Sequence, residues 1–209
     1  MTRRRWSVLA AAVVSVVMSC GAMAAARVNG VVLDRPVPVE AFTLENHDGK
    51  PFTADTLKGH WTLILAGFTQ CPDVCPFTLA NLEQVVAELG LRLRPDRLPV
   101  VVFLAVDPDR DRANLKGYVV AFHPDFIGVT GKIDQIERAL KGIDAVAIRG
   151  KPDARGNYQV SHSAAVAVID PQGRLAAKIS PPFDPAPTAQ FLADLFRQRG
   201  DARASESGR

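Results

Sequence analysis

The chain has 209 residues, of which 47% are hydrophobic and 22% charged. This length and composition are typical of one globular domain with short appendages, and they exclude a disordered chain, a collagen or a coiled coil. Its formal net charge is +3, but three of its 25 Lys and Arg residues are clustered at positions 3–5, and the other 22 balance 22 acidic residues. A nucleic-acid-binding domain carries its basic excess within the folded part, so this class of function is excluded as well.

The first 26 residues have the pattern of an export signal. The arginine cluster is followed by an uncharged run of 21 residues at 6–26, with small residues near its end. The run is long enough to span a bilayer if it is not cut, so residues 1–26 are predicted to be a signal peptide or a membrane anchor. Either one places the rest of the chain on the periplasmic side of the bacterial inner membrane. Lipidation at Cys20 is a third alternative, although Met18 is bulkier than the residue usual before a lipidated cysteine.

The remaining residues are predicted to form a linker (27–37), one α/β domain (38–199) and a flexible polar tail (200–209). Near-continuous apolar runs in the domain predict two strands that are buried on both faces, at 61–68 and 99–106. Other expected elements are a strand at 42–44, helices at 76–89, 112–122, 132–140 and 188–199, and a hairpin with strands at 164–169 and 174–179. This order predicts a mixed central sheet flanked by helices.

The unusual residues follow the two buried strands, in loops 69–76 and 107–111. Open α/β sheets place their functional sites at the carboxyl ends of their strands. The first loop contains Cys71 and Cys75, which are separated by three residues at the predicted start of a helix. Because a helix start lowers the pKa of a thiol, at least one cysteine is predicted to be partly thiolate. The two thiols can close a disulfide or chelate one soft metal ion.

The cysteine spacing argues against several other cysteine sites. Thioredoxins have two residues between their cysteines, and a structural zinc site needs four ligands, whereas the exported part has no second cysteine pair. An inert disulfide, or a pair of buried free thiols, is the alternative in which these residues have no chemical function.

Four histidines are candidates for a third ligand. His47, His60 and His123 stand in a turn, a loop and a helix end, positions typical of surface or capping residues. His162 stands at the entry to the last hairpin, after a glycine- and charge-rich loop at 149–157. Since a long loop of this kind is either mobile or functional, His162 is a metal ligand or a histidine with an ordinary partner at a strand start.

Three aspartates lie in the same two loops. Asp73, between the cysteines, either orients the site or is simply exposed to solvent. Asp107 and Asp111 either support the site through hydrogen bonds or cap the helix predicted from Arg112 onward. Both roles are open for this pair.

Three segments together resemble the Sco/SenC family of copper-handling proteins. They are 68–76 (Phe-Thr-Gln-Cys-Pro-Asp-Val-Cys-Pro), 106–111 (Val-Asp-Pro-Asp-Arg-Asp) and 161–163 (Ser-His-Ser). The resemblance covers about residues 38–184, nearly the whole exported domain.

The resemblance implies a thioredoxin-like fold, an N-terminal membrane tether, and copper bound by Cys71, Cys75 and His162. It also implies a role in assembling the dinuclear copper centre of cytochrome c oxidase. The residue types suit this metal, because soft thiolates select Cu(I) and an added imidazole lets the same site hold Cu(II).

Different functions can use these residues. The first is a metallochaperone, a binding protein without turnover. The partner that the resemblance implies for it is the copper-centre subunit of the oxidase, and other copper chaperones or thiol reductases are further expected partners. A thiol–disulfide reductase is an enzyme in which Cys71 and Cys75 are catalytic and keep the target's cysteines reduced. A copper or redox sensor would use the same site with a signalling partner. His162 discriminates between the first two, since a dithiol reductase needs no third ligand.

Overall fold

The computed structural model of the protein describes residues 28–155, 158–182 and 184–207. The predicted signal peptide or membrane anchor at 1–26, and with it Cys20, lies outside the described residues. Within the described ranges, no helix combines the length and the apolar character needed to cross a membrane.

Strands and helices alternate through most of the described chain. The strands are β1 (Gly30–Pro38), β2 (Thr43–Asn46), β3 (Pro51–Thr53), β4 (Thr62–Gly67), β5 (Val100–Ala105), β6 (Ile127–Thr130), β7 (Ala147–Arg149), β8 (Val160–His162), β9 (Val166–Ile169) and β10 (Arg174–Ile179). The α-helices are α1 (Val74–Gly90), α2 (Pro108–Asp111), α3 (Leu115–Val120), α4 (Ile133–Gly142) and α5 (Pro185–Ser207).

The two predicted buried strands, β4 and β5, lie at the centre of a sheet with the strand order β1-β10-β9-β4-β5-β6-β2-β3. β4, β5 and β6 run parallel, and the other neighbours are antiparallel, so the predicted mixed sheet is confirmed. β7 and β8 pair separately as a small antiparallel hairpin. Because Gly67 pairs with Ala105 at the last position of the β4–β5 register, the loops after both strands leave the sheet at the same edge.

The core lies on both faces of this sheet, which explains the continuous apolar runs. In β4, Leu63 and Leu65 belong to the cluster that includes residues of α1 and α5, while Ile64 and Ala66 belong to the opposite cluster with residues of α4. Successive side chains of a strand point to opposite faces, so a strand covered on both sides needs apolar residues at every position.

Two segments differ from their prediction. Most of the predicted linker is strand β1, which pairs antiparallel with β10. This pairing satisfies backbone groups that β10 would otherwise expose at the edge of the sheet. The predicted flexible tail continues the closing helix, since α5 extends to Ser207. Ala, Arg and Glu at 202–206 have high helix propensity, which favours this extension.

The helix predicted at 112–122 is only partly right. Within this range the structure has one shorter helix, α3. Helix α2 precedes the range, and in the turn between the two helices the backbone N–H of Asn114 donates to the Asp111 carbonyl oxygen. Pro108 stands in the first turn of α2, where its fixed backbone angle and missing N–H are tolerated. The Asp-Pro-Asp-Arg-Asp segment is therefore helical itself and is not a loop before a helix.

Candidate metal centre

The two cysteines lie where β4 passes into α1. Cys75 is in the first turn of α1 and is fully buried, whereas Cys71, in the preceding loop, is half-buried. Both thiols are free, so an inert disulfide is not what this structure contains.

Gly67, the last residue of β4, makes room for the Cys75 side chain. A Cβ atom at this position would lie 2.6 Å from the Cys75 Sγ atom and 2.6 Å from the ring of Phe103, closer than real Cβ atoms approach other groups. Sequence reasoning missed this residue. The available signal was a glycine at the end of a mostly apolar buried strand.

His162 reaches the cysteines from the β7–β8 hairpin. It is the last residue of β8, pairs with Ala147 of β7, and its Nε2 atom lies 3.2 Å from the Cys75 Sγ atom. Its Nδ1 atom lies 3.1 Å from the carbonyl oxygen of Ser163. A carbonyl oxygen only accepts hydrogen bonds, so Nδ1 carries the proton, and in the neutral ring Nε2 offers its lone pair toward the sulfur.

These three side chains form a compact donor set. The Sγ atoms of Cys71 and Cys75 and a ring nitrogen of His162 all lie within 4.8 Å of one another. Two sulfurs and one imidazole nitrogen at this separation can surround a single soft metal ion. The structure therefore favours the first of the two roles considered for His162, a metal ligand, over a histidine with an ordinary partner at a strand start.

Burial raises the pKa of the Cys75 thiol well above its ordinary value. The lowering predicted for at least one of the two cysteines is therefore not found at Cys75, where desolvation of the buried sulfur is the largest effect. A metal ion that binds here must displace the thiol proton.

Asp111 ties the cysteine loop to the segment after β5. Its fully buried carboxylate accepts hydrogen bonds from the backbone N–H of Thr69 at 2.7 Å and the hydroxyl of Thr69 at 2.8 Å. It also accepts one from the backbone N–H of Asp107 at 3.1 Å. Burial raises the pKa of this carboxyl group. Asp111 is the last residue of α2, so its side chain holds two loops together and does not cap a helix from Arg112 onward.

Asp107 makes the corresponding link to the His162 hairpin. Its carboxylate is fully buried, accepts a hydrogen bond from the Tyr158 hydroxyl at 2.7 Å, and pairs with the Nε atom of Arg110. Asp107 occupies the N-cap position of α2, yet its side chain makes no capping bond to that helix. Asp73 precedes α1 as an exposed residue, also without a side-chain capping bond.

Two of the other histidines accept hydrogen bonds from backbone groups outside the donor set. The Nδ1 atom of His47 accepts a hydrogen bond from the backbone N–H of Gly128 at 3.0 Å, and that of His123 accepts one from Asp125 at 3.1 Å. His60 is half-buried, and burial lowers its pKa. None of the three belongs to the donor set formed with Cys71 and Cys75.

Comparison with known proteins adds an independent line of evidence. A sequence model of the SCO1/SenC family matches residues 34–197. The SCO2-like protein of Rickettsia felis is 36% identical over 153 residues, which cover 72% of this chain and 73% of that protein. The mitochondrial SCO2 homolog of Mus musculus is 40% identical over 135 residues, which cover 63% of this chain and 52% of that protein. The chain spans about half the length of the animal mitochondrial relatives that it matches.

The structural comparison agrees with the sequence comparison. The crystal structure of Arabidopsis thaliana ScoI with copper bound matches with a TM-score of 0.69 and 29% identity, over 76% of this chain and 98% of that one. The fold and the cysteine–histidine cluster thus define a thioredoxin-like domain with a candidate soft-metal site at the sheet edge, as predicted for the fold class. Within that class, the chain belongs to the SCO1/SenC family.

Proposed function

We propose that this protein is a copper metallochaperone that binds the ion through Cys71, Cys75 and His162 and delivers it to the dinuclear copper centre of cytochrome c oxidase. The observation that carries the proposal is the convergence of two sulfur atoms and one imidazole nitrogen within 4.8 Å. The copper-bound state of the related Arabidopsis protein supports the choice of metal. Membership of the SCO1/SenC family supports the link to oxidase assembly.

The donor set suits a cargo that changes oxidation state. The two thiolates hold Cu(I), for which two soft ligands suffice, and the imidazole of His162 adds the harder third ligand that Cu(II) prefers. Copper is the transported cargo here, and the protein supplies ligands that hold it and later exchange it.

The unequal burial of the cysteines gives the transfer a direction. Cys75 is fully buried beneath His162, whereas Cys71 is half-buried. An acceptor thiolate therefore approaches copper on the Cys71 side, replaces that sulfur first, and leaves Cys75 and His162 to be released afterwards. The partner that fits this exchange is the copper-centre subunit of the oxidase.

The N-terminal segment supports an exported location. The arginine cluster and the uncharged run to Ala26 favour a chain held at the periplasmic face of the inner membrane, where a tether raises the local concentration of the partner. Cell fractionation of the full chain tests this. Recovery with the membrane or periplasm is expected, and recovery in the cytoplasm would reject it.

A second candidate function, thiol–disulfide reduction, is favoured by the free cysteine pair itself. The Cys71 thiolate would attack a target disulfide and release one target thiolate; Cys75 would then attack the mixed disulfide and release the second. The Cys71–Cys75 disulfide formed in this way needs a dithiol reductant to restore it. This cycle does not use His162.

The decisive experiment is an anaerobic titration of the full chain in detergent with Cu(I), and a parallel titration with Cu(II), using competing chelators. Wild type should bind one copper ion in each state. Cys71→Ser should weaken the binding of both ions, and His162→Ala should weaken Cu(II) binding much more than Cu(I) binding. His47→Ala is the matched control and should behave as wild type, because that imidazole has a backbone partner elsewhere. Absence of stoichiometric binding by the wild type, together with reduction of a target disulfide, would replace the chaperone with the reductase.

A further inference from the structure

A continuous chain of hydrogen bonds joins the two halves of the candidate copper site. It starts at Thr69 in the cysteine loop, passes through the carboxylate of Asp111 to the backbone of Asp107, and ends at the Tyr158 hydroxyl beside the histidine hairpin. The cysteines and the histidine come from segments far apart in sequence, so this chain holds two otherwise separate loops at a fixed distance.

The attachment lies at the loop end of the β7–β8 hairpin, where Arg149 pairs with Val160, and His162 lies at the other end of β8. Tyr158 stands two residues before β8, and Arg149 is the last residue of β7, so the two flank the intervening loop. Both side chains reach the same carboxylate: the Tyr158 hydroxyl lies 2.7 Å and the Arg149 Nη1 atom 3.8 Å from the Oδ1 atom of Asp107. Asp107 lies two residues beyond β5 and is fully buried, so it anchors both side chains to the core of the domain.

Arg110 strengthens this attachment and connects it to His162. Its guanidinium carbon lies 4.0 Å from the centre of the Tyr158 ring, and its Nη1 atom donates to the Tyr158 carbonyl oxygen at 3.3 Å. On its other side it lies 5.7 Å from the centre of the Phe68 ring. The Phe68 ring in turn contacts the His162 imidazole edge-on, with 5.8 Å between the ring centres. Cation–π contacts of this kind stabilise the stacked arrangement.

We propose that Asp107 and Tyr158 form a latch that positions His162 over the cysteine pair, so that opening the latch withdraws the third copper ligand without disturbing the two sulfurs. The inference rests on the proposed function and adds to it the residues that control when copper is held by three ligands and when by two. An acceptor that disturbs Tyr158 would shift copper toward the two-sulfur state. Tyr158 and Asp107 are positioning residues, since they act on the metal only through His162.

The arrangement of Arg110 indicates that its contacts with Asp107 and Tyr158 position the hairpin more than they stabilise the fold. Its Nη2 atom is buried and has no hydrogen-bond partner among the described residues, which is an unfavourable state for a guanidinium nitrogen. If these contacts only stabilised the fold, a partner for this donor, or an apolar residue in place of Arg110, would make the fold more stable.

Tyr158→Phe tests the latch most cleanly, because it removes only the hydroxyl and keeps the ring beside Arg110; Asp107→Asn is the second variant. In the full chain in detergent, both should lower Cu(II) affinity by about tenfold, as outer partners of metal ligands do. Cu(I) affinity should change much less, since the thiolates hold that ion. The Cu(II) electron paramagnetic resonance spectrum should move toward that of His162→Ala. Asp109→Asn is the matched control for Asp107→Asn and should leave both affinities unchanged, because Asp109 is an exposed aspartate only two positions further along the chain.

A second measurement separates failure of the latch from failure of the proposed function. Amide hydrogen exchange of β8 in the copper-free protein should become faster in Tyr158→Phe and stay as in wild type in Asp109→Asn. Unchanged exchange, or a Tyr158→Phe variant that binds Cu(II) with the wild-type affinity and spectrum, would overturn the latch. A wild type that binds no copper would overturn the proposed function, and the exchange experiment would still decide whether the latch exists.

Discussion

The Nε2 atom of His162 lies 3.2 Å from the Sγ atom of Cys75, although the two residues are 87 positions apart in the chain. The contact brings the hairpin that carries the histidine against the cysteine loop. A metal ion that binds between these side chains must displace the thiol protons.

Copper binding should therefore weaken as the pH falls. Burial raises the pKa of the Cys75 thiol, so this group is protonated in the free protein around neutral pH and must lose its proton to bind. For each thiol that is neutral in the free protein, the apparent Cu(I) affinity should fall about tenfold per pH unit as the pH decreases. Competition titrations between about pH 6 and 8 measure this slope, and Cys75→Ser should reduce it. A slope near zero in the wild type would contradict the presence of a neutral buried thiol ligand.

Gly67→Ala should disturb the site from the strand that supports it. The added methyl group would lie 2.6 Å from the Cys75 sulfur and 2.6 Å from the Phe103 ring, so either the sulfur or the strand must shift. We expect a loss of about 1–3 kcal/mol in the free energy of unfolding, typical of overpacking in a core, and weaker Cu(I) binding. Urea denaturation and Cu(I) titration measure the two effects.

Gly90→Ala is the matched control for this substitution. Gly90 ends α1 and has no atom within 4 Å of the added methyl group. Copper binding should be unchanged and stability equal or up to about 1 kcal/mol higher, because alanine favours a helix. Equal behaviour of the two variants would show that the space beside Cys75 is not needed.

Asp111→Ala should loosen the connection between the cysteine loop and the segment after β5. It leaves the Thr69 and Asp107 backbone donors without their acceptor, and a buried donor without a partner costs about 1–3 kcal/mol. Thermal or urea unfolding measures this loss. The control is Asp109→Ala, an exposed aspartate in the same helix that should change stability by less than about 0.5 kcal/mol. An Asp111→Ala variant as stable as the wild type would mean that these hydrogen bonds do not stabilise the fold.

The central architecture could be predicted from the sequence because its signals are local. The near-continuous apolar runs of β4 and β5 indicate strands covered on both faces, and the apolar stripe of α1 indicates a helix packed on that sheet. β1 was missed because Asp34, Arg35 and Pro36 interrupt its valines, and it is defined by pairing with the distant β10. β7 and β8 have three residues each, too few for a periodic pattern.

The candidate site, like the fold, could be predicted from the sequence only in part. Spacing and the resemblance of the motifs were enough to name Cys71, Cys75 and His162, because thiolates and imidazoles are the ligands that soft metal ions prefer. Tyr158 could not be named in this way, and Gly67 offered only its position at the end of a strand, since the roles of both depend on which atoms the fold brings within contact distance. The choice between cap and partner for Asp107 also required the hydrogen bonds, because either use is compatible with an aspartate before a helix.

X-ray absorption spectroscopy at the copper edge of the loaded full chain tests the central claim most directly. Two sulfur scatterers and one nitrogen scatterer are expected for Cu(II), with the nitrogen contribution lost in His162→Ala and the sulfur contribution halved in Cys71→Ser. A copper environment made only of nitrogen and oxygen, or one that is the same in both variants as in the wild type, would contradict the assignment of Cys71, Cys75 and His162 as the copper ligands.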